Sequence, residues 1–189
     1  GTDYTVSYSA NTKVGTVEVT ITGTGSYIGE IKSSFDILPA KQQIQKLETR
    51  FKGFFIDWAQ KGSATGYEIE YSTNADFKDS TVKKLTANKP DTLTISGLTA
   101  GNKYYVRVRS YTNVGEKVYY GAWSDSKNVT AAKYDITKSA ISGISTKTYT
   151  GKNITQSVKV KYNGKTLKSG TDYTVSYSNN KKVGTATVK

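Results

Sequence analysis

Cysteine, histidine and methionine are absent from this 189-residue chain, and proline occurs only twice, at Pro39 and Pro90. Without cysteine there are no disulfides, thiolate nucleophiles or thiolate metal ligands. Without histidine the commonest general base and the commonest metal ligand are missing too. No apolar run approaches the roughly 20 residues that span a bilayer, and neither an initiator Met nor a secretory leader is visible. Any targeting information is therefore expected outside this sequence. Carboxylates are what remains for catalysis. Glu68 and Glu70 stand two apart in one alternating run, while Asp76 and Asp79 flank a loop. Neither pair has the apolar enclosure that raises one carboxyl pKa for acid catalysis, so all four are expected as solvated surface acids. The two carboxylates of Asp76 and Asp79 also fall well short of the roughly six to eight oxygens that calcium takes. The sequence thus predicts no enzyme, no catalytic residue, no metal site and no cofactor.

What the chain does have is lysine. With 27 Lys+Arg against 15 Asp+Glu its net charge is +12, which attracts polyanions such as nucleic acid or acidic glycans. Lysine spread over strand faces also keeps β proteins soluble and their edges unpaired. The densest basic stretch, Lys159 to Lys168, alternates Lys with Val, Tyr and Leu around Asn163-Gly164. That pattern predicts a hairpin with its lysines in water, and no specific nucleic-acid partner is expected.

Period-2 alternation runs nearly throughout. Tyr4, Val6 and Tyr8, a turn over Asn11 to Gly15, then Val17, Val19 and Ile21 predict a hairpin over residues 3–22. Further strands are expected at 29–37, 54–60, 66–72, 82–86, 92–96, 104–111 and 127–131. Ile44 and Leu47 have a helical spacing, but their segment is short and follows Pro39. The class is all-β, with a strand every ten residues or so.

The last twenty residues repeat the first. Gly170 to Lys189 matches Gly1 to Thr20 at 15 of 20 positions, including GTDYTVSYS. Joining the 57 residues 133–189 to the 20 residues 21–40 gives a unit of 77 residues, a reasonable size for a small β domain. The expected organisation is the C-terminal part of one repeat at 1–40, a whole domain at 41–132, and the N-terminal part of the next repeat at 133–189. Short linkers near Leu38-Pro39-Ala40 and Ala131-Ala132-Lys133 would set the angles between modules. Each partial repeat leaves unpaired edges and an uncovered face, so head-to-tail pairing with neighbouring repeats or other copies is expected.

The central part carries spaced motifs: Trp58 in Phe54-Phe55-Ile56-Asp57-Trp58, then Gly66-Tyr67-Glu68-Ile69-Glu70-Tyr71-Ser72, then Leu98…Gly101…Tyr104-Tyr105-Val106-Arg107-Val108-Arg109, and finally Gly121-Ala122-Trp123-Ser124. These resemble a fibronectin type III domain. The resemblance implies a Greek-key β-sandwich in which Trp58 fills the space between sheets and Tyr104 ties its hydroxyl to backbone just upstream. It also makes Gly121 to Ser124 the start of the last strand. No Arg-Gly-Asp occurs, so the integrin-binding loop of some members is missing.

The flanks carry Gly-Thr-Asp-Tyr-Thr-Val-Ser-Tyr-Ser, Val-Gly-Thr, and Ile21-Thr22-Gly23-Thr24-Gly25 leading to Phe35-Asp36-Ile37. They resemble the small Ig-like repeats of large bacterial surface proteins. That resemblance implies an opening strand at Ile141–Tyr149, export, and a stalk or adhesin array. An extracellular location, on a bacterial surface or secreted, also accords with the lack of cysteine.

One candidate ligand-binding loop stands out, Thr112–Ala122, with Tyr119 and Tyr120 and then Trp123. Clustered aromatics near a loop tip stack on sugar rings or form protein hot spots. The bland reading has Tyr119 starting the last strand and Trp123 packing on the sandwich. The sequence therefore favours a non-catalytic spacer, stalk or adhesin segment, with cell-wall or host glycans as candidate partners. The alternative is a carbohydrate-binding accessory module of a secreted glycan-active enzyme.

Overall fold

A computed structural model describes residues 2–59, 62–89 and 91–189. Gly1, the first residue of the repeat, and Gln60, the end of the strand expected at 54–60, lie outside the described residues. The chain forms two compact units, 1–133 and 134–189. It is all-β, with one 3-10 turn at Ile136–Lys138 among the described residues.

The first unit opens with an antiparallel sheet of β1 (Tyr4–Tyr8), β2 (Gly15–Gly23) and β3 (Glu30–Ile37), in the order β1-β2-β3. Tyr8 pairs with Val19, Val6 with Ile21 and Tyr4 with Gly23, while Val17 pairs with Phe35 and Ile21 with Ile31. Directly paired residues share a face, so the alternation collects these apolar side chains on one side. Thr16, Glu18, Lys32 and Asp36 fall on the other.

A sandwich follows. One sheet holds β4 (Ile44–Arg50), β5 (Gly53–Trp58) and β8 (Thr92–Ile95), in the order β4-β5-β8. The other runs β10-β9-β6-β7, from β6 (Gly66–Ser72), β7 (Thr81–Leu85), β9 (Lys103–Val114) and β10 (Lys117–Tyr120), with β11 (Lys127–Thr130) also paired to β9. Phe54, Ile56, Trp58, Tyr67, Ile69, Val106 and Val108 are sealed between the sheets. The rings of Trp58 and Tyr67 lie 5.4 Å apart, so large aromatic area supplies much of the burial.

The spacing of Ile44 and Leu47 belongs to a strand. A bulge between Ile44 and Lys46 inserts one residue, because Ile44 pairs with Trp58 and Lys46 with Asp57. That extra residue brings Ile44 and Leu47, three apart, to the same core. Spacing of three in an otherwise extended chain is thus the mark of a bulge as well as of a helix.

The second unit is sparser. β12 (Ala140–Ser142) pairs β13 (Lys159–Tyr162), which turns through Asn163-Gly164 into β14 (Lys165–Thr166). Asn163 and Gly164 sit at φ +47° and +79°, the geometry of the hairpin turn expected from their identities. β15 (Tyr177–Ser178) pairs β16 (Thr187–Val188). The strand expected over Ile141–Tyr149 stops at Ser142. Gly143 takes φ +83°, and a Cβ there would stand 2.2 Å from the Ser157 carbonyl oxygen. That position admits only glycine and ends the ladder.

Candidate functional site

Thr112–Tyr120 is a hairpin, which corrects the loop expected over Thr112–Ala122. β9 continues to Val114, a two-residue turn at Gly115-Glu116 reverses the chain with Gly115 at φ +59°, and β10 returns with Tyr119 opposite Thr112 and Tyr120 opposite Tyr111. The residues from Gly121 to Ser124 lie outside any ladder, and the last strand starts only at Lys127. Even so, this segment is held along β9: Gly121 N–H donates to the Ser110 carbonyl at 3.0 Å and Ser124 N–H to that of Val108 at 2.8 Å.

The three aromatic candidates part company here. Tyr119 is buried, and its hydroxyl lies 2.8 Å from Thr16 Oγ1 on β2. Thr16 spends its own proton on Asp36 Oδ1 at 2.6 Å, so Tyr119 donates to Thr16. Lys117 Nζ reaches the same carboxylate at 3.0 and 3.3 Å. This chain of contacts ties the polar face of the first sheet to the β9-β10 hairpin. The Thr16 hydroxyl, and then Lys117, hold the Asp36 carboxyl below its ordinary range, while Asp36 raises the Lys117 ammonium. The link from β3 into the sandwich is equally close, since a Cβ on Gly121 would stand 2.8 Å from the Pro39 carbonyl oxygen.

Tyr120 and Trp123 stack on arginines. The Arg109 guanidinium lies 4.1 Å from the Tyr120 ring centre and 4.3 Å from that of Trp123. Arg107 lies 4.8 Å from Trp123 and 4.0 Å from Phe77. Aromatic and cationic groups thus alternate as Phe77, Arg107, Trp123, Arg109, Tyr120. Each arginine is anchored from behind: Arg107 Nε donates to Glu70 at 2.6 Å, and Arg109 donates to Glu68 from Nη2 at 2.7 Å and from Nε at 2.9 Å. Glu68 and Glu70 are each 7% exposed, which corrects their expected place as solvated acids. They lie directly opposite Arg109 and Arg107 in the β6-β9 ladder, and burial is tolerable because each charge is paired and hydrogen-bonded. The ladder roofs the outer face of β6 and so explains why that strand is covered on both sides.

Asp76 accepts from the Lys78 N–H at 3.1 Å, and Asp79 sits at φ +52°. No group of three or more metal-ligating side chains occurs among the described residues. Sequence reading missed the ladder because its members lie on separate segments. The available signal was Arg107 and Arg109 alternating with Val106 and Val108, with Trp123 the second of the chain's two tryptophans.

The Tyr104 hydroxyl accepts from the Thr99 N–H at 3.1 Å, the corner geometry implied by the Leu98…Gly101…Tyr104 spacing. A family model described as fibronectin type III domain matches residues 46–127. Among solved structures, the chicken CNTN1 FN1-FN3 domains match at 14% identity and a TM-score of 0.46, over 66% of this chain and 45% of that one. The chain therefore spans less than half of that structure's length. No curated protein matches the chain. Trp58 between the sheets, the tied Tyr104 and the matched family model make the central part of this chain a fibronectin type III domain.

Proposed function

We propose that this chain is a non-catalytic, extracellular tandem-repeat segment of a bacterial surface protein, acting as a spacer or stalk. On this reading residues 1–40 and 133–189 are parts of Ig-like repeats, with the fibronectin type III module at 41–132 between them. The observation that carries the reading is the duplication of Gly1–Thr20 at Gly170–Lys189, one copy on each side of the central domain. A unit that recurs along a chain is a unit of length. Two further facts support it. Domains of this type are generally non-catalytic and typically extracellular. The contacts of Thr16, Asp36, Lys117 and Tyr119, with the close approach of Pro39 to Gly121, restrain bending between the first sheet and the sandwich.

Small-angle X-ray scattering on one, two and three copies joined covalently tests this. A spacer adds the same increment to the maximum dimension with each copy. Collapse into a globule, with little gain after the first copy, would refute it. Retention on immobilised polysaccharide that Trp123→Ala abolishes would instead favour the carbohydrate-binding alternative.

A further inference from the structure

Two tyrosine rings lie against each other within the second unit. The ring centres of Tyr134 and Tyr162 are 4.6 Å apart and their planes are inclined by 33°, which is the close end of the range for aromatic pairs. Local structure places both. Tyr162 ends β13, on the same face as the buried Val160, and pairs with Lys165 across the Asn163-Gly164 turn. Tyr134 stands just before the 3-10 turn Ile136–Lys138, which Asp135 caps: its Oδ1 accepts from the Thr137 N–H at 3.0 Å and from the Thr137 hydroxyl at 2.7 Å. Ala140 then pairs with Lys161, so the short stretch after Tyr134 leads straight into the strand that flanks β13.

Coupling of two phenols joins the carbons beside their hydroxyl groups, which requires the rings to overlap at contact distance. The short separation and shallow angle of Tyr134 and Tyr162 come near that geometry. By contrast, Tyr71 and Tyr104 stand 6.4 Å apart at 67°, and Tyr111 and Tyr120 stand 6.0 Å apart at 45°. Tyr104 and Tyr111 are also buried, whereas Tyr134 is 54% exposed and Tyr162 is half-buried.

We propose that Tyr134 and Tyr162 form an oxidative modification site, at which a haem peroxidase and hydrogen peroxide join the two side chains as dityrosine. Each phenol gives up one electron and one proton and becomes a phenoxyl radical. The radicals combine through one Cε of each ring, and the hydrogen on each joined carbon moves to the oxygen of its own ring. In the balance one C–C bond forms, two C–H bonds break, and the peroxide is reduced to two waters. The bond closes residues 134–162 into a covalent ring, which takes loop-closure entropy from the opened state much as a disulfide does. A chain without cysteine can acquire a cross-link by this route. Tension that enters the second unit at Tyr134 then passes through the new bond and bypasses residues 135–161. That mechanical consequence rests on the spacer reading, and the bond itself does not.

The test treats the full chain with a haem peroxidase and hydrogen peroxide, dilute enough that coupling between molecules is slow, and digests the monomeric fraction with trypsin for mass spectrometry. Cleavage after lysine should yield Tyr134–Lys138 joined to Tyr162–Lys165, lighter than the two free peptides by two hydrogen atoms. Coupling of Tyr111 to Tyr120 should be absent. Tyr134→Phe and Tyr162→Phe each keep the ring and remove the phenol, so either should abolish the intramolecular dityrosine fluorescence. Hydrogen exchange across β12 and β13 should slow by roughly a hundredfold in the cross-linked chain. Recovery of the two peptides only in their free form, dityrosine that persists within monomers of Tyr134→Phe, or an equal yield from the chain unfolded in urea overturns the assignment. Each of those results leaves the spacer reading standing, since that is decided by the length increments of covalently joined copies.

Discussion

The same twenty-residue pattern is folded twice in this chain, and to different extents. In the first copy Tyr8 pairs with Val19 and the ladder continues to Tyr4 and Gly23, with β3 alongside β2. In the second the equivalent pair, Tyr177 with Val188, is present in the same register, yet the ladder covers two residues. Register therefore travels with the local sequence, the turn length and the alternation. The partners of Val6, Thr5 and Tyr4 are Ile21, Thr22 and Gly23. Among the described residues the first copy carries β3 alongside β2, while Tyr173 and Tyr177 of the second donate to the carbonyls of Val158 and Gln156.

The sharpest way to break this comparison is at Val17, whose equivalent is Ala186. Val17 is fully buried and pairs with Phe35, whereas Ala186 is exposed. Val17→Ala should cost about 1.5–2.5 kcal/mol of local stability, from lost burial and the cavity left behind. Hydrogen exchange at the β2 amides should speed up by about tenfold or more. Ala186→Val should change exchange around β16 by less than roughly 0.5 kcal/mol, because that site is exposed. Equal responses at the two positions would mean that β3 does not distinguish the copies.

A smaller effect is expected at Tyr119, which only the first copy engages. Tyr119→Phe keeps the buried ring and removes the hydrogen bond to Thr16, which should cost about 0.5–1.5 kcal/mol. Exchange should quicken in β2 and β3 and stay unchanged in β15 and β16. Unchanged β2 amides would show that the hydroxyl contact does not hold the sheet to the hairpin.

These differences mark what the sequence could tell. Alternation located β1, β2, β3 and β6 to within a residue or two, since each buries one face or pairs along its length. The family resemblance carried by Leu98…Gly101…Tyr104 implied the Tyr104 contact, and both ends of that contact lie within six residues. Asn163-Gly164 was equally readable, since its turn depends on those two residues alone. Misreadings arose where the deciding partner is remote. Ile44 and Leu47 face one core through a bulge set by the pairing with β5. Glu68 and Glu70 are buried because arginines about forty residues on lie across the ladder. Lys117 to Tyr120 is a strand because β9 runs on to Val114, past a turn whose polar residues read as loop.

The finest distinction between the copies is in their response to pH. Asp36 lies outside the duplicated twenty residues, and its carboxyl is held below the ordinary value of 3.8, first by the Thr16 hydroxyl and then by Lys117. A lowered carboxylate pKa means that its contribution is present above that ordinary value and fades as pH falls through the lowered one. Lys117 works the other way. Raised above 10.5, chiefly by Asp36, it contributes fully below that value and loses the contact only as pH climbs past its raised value. Between those limits the contact is intact. Both groups are exposed, so the effect is small and weakened by salt. Amide chemical shifts followed from about pH 7 down to about 2 should show an inflection below 3.8 at Thr16 and Tyr119, and none at Thr185, the equivalent of Thr16. Asp36→Asn should abolish the inflection. If instead it persists in Asp36→Asn, or appears equally at Thr185, the titrating group is not Asp36, and the sheet is held to the hairpin by the neutral Tyr119 to Thr16 contact alone.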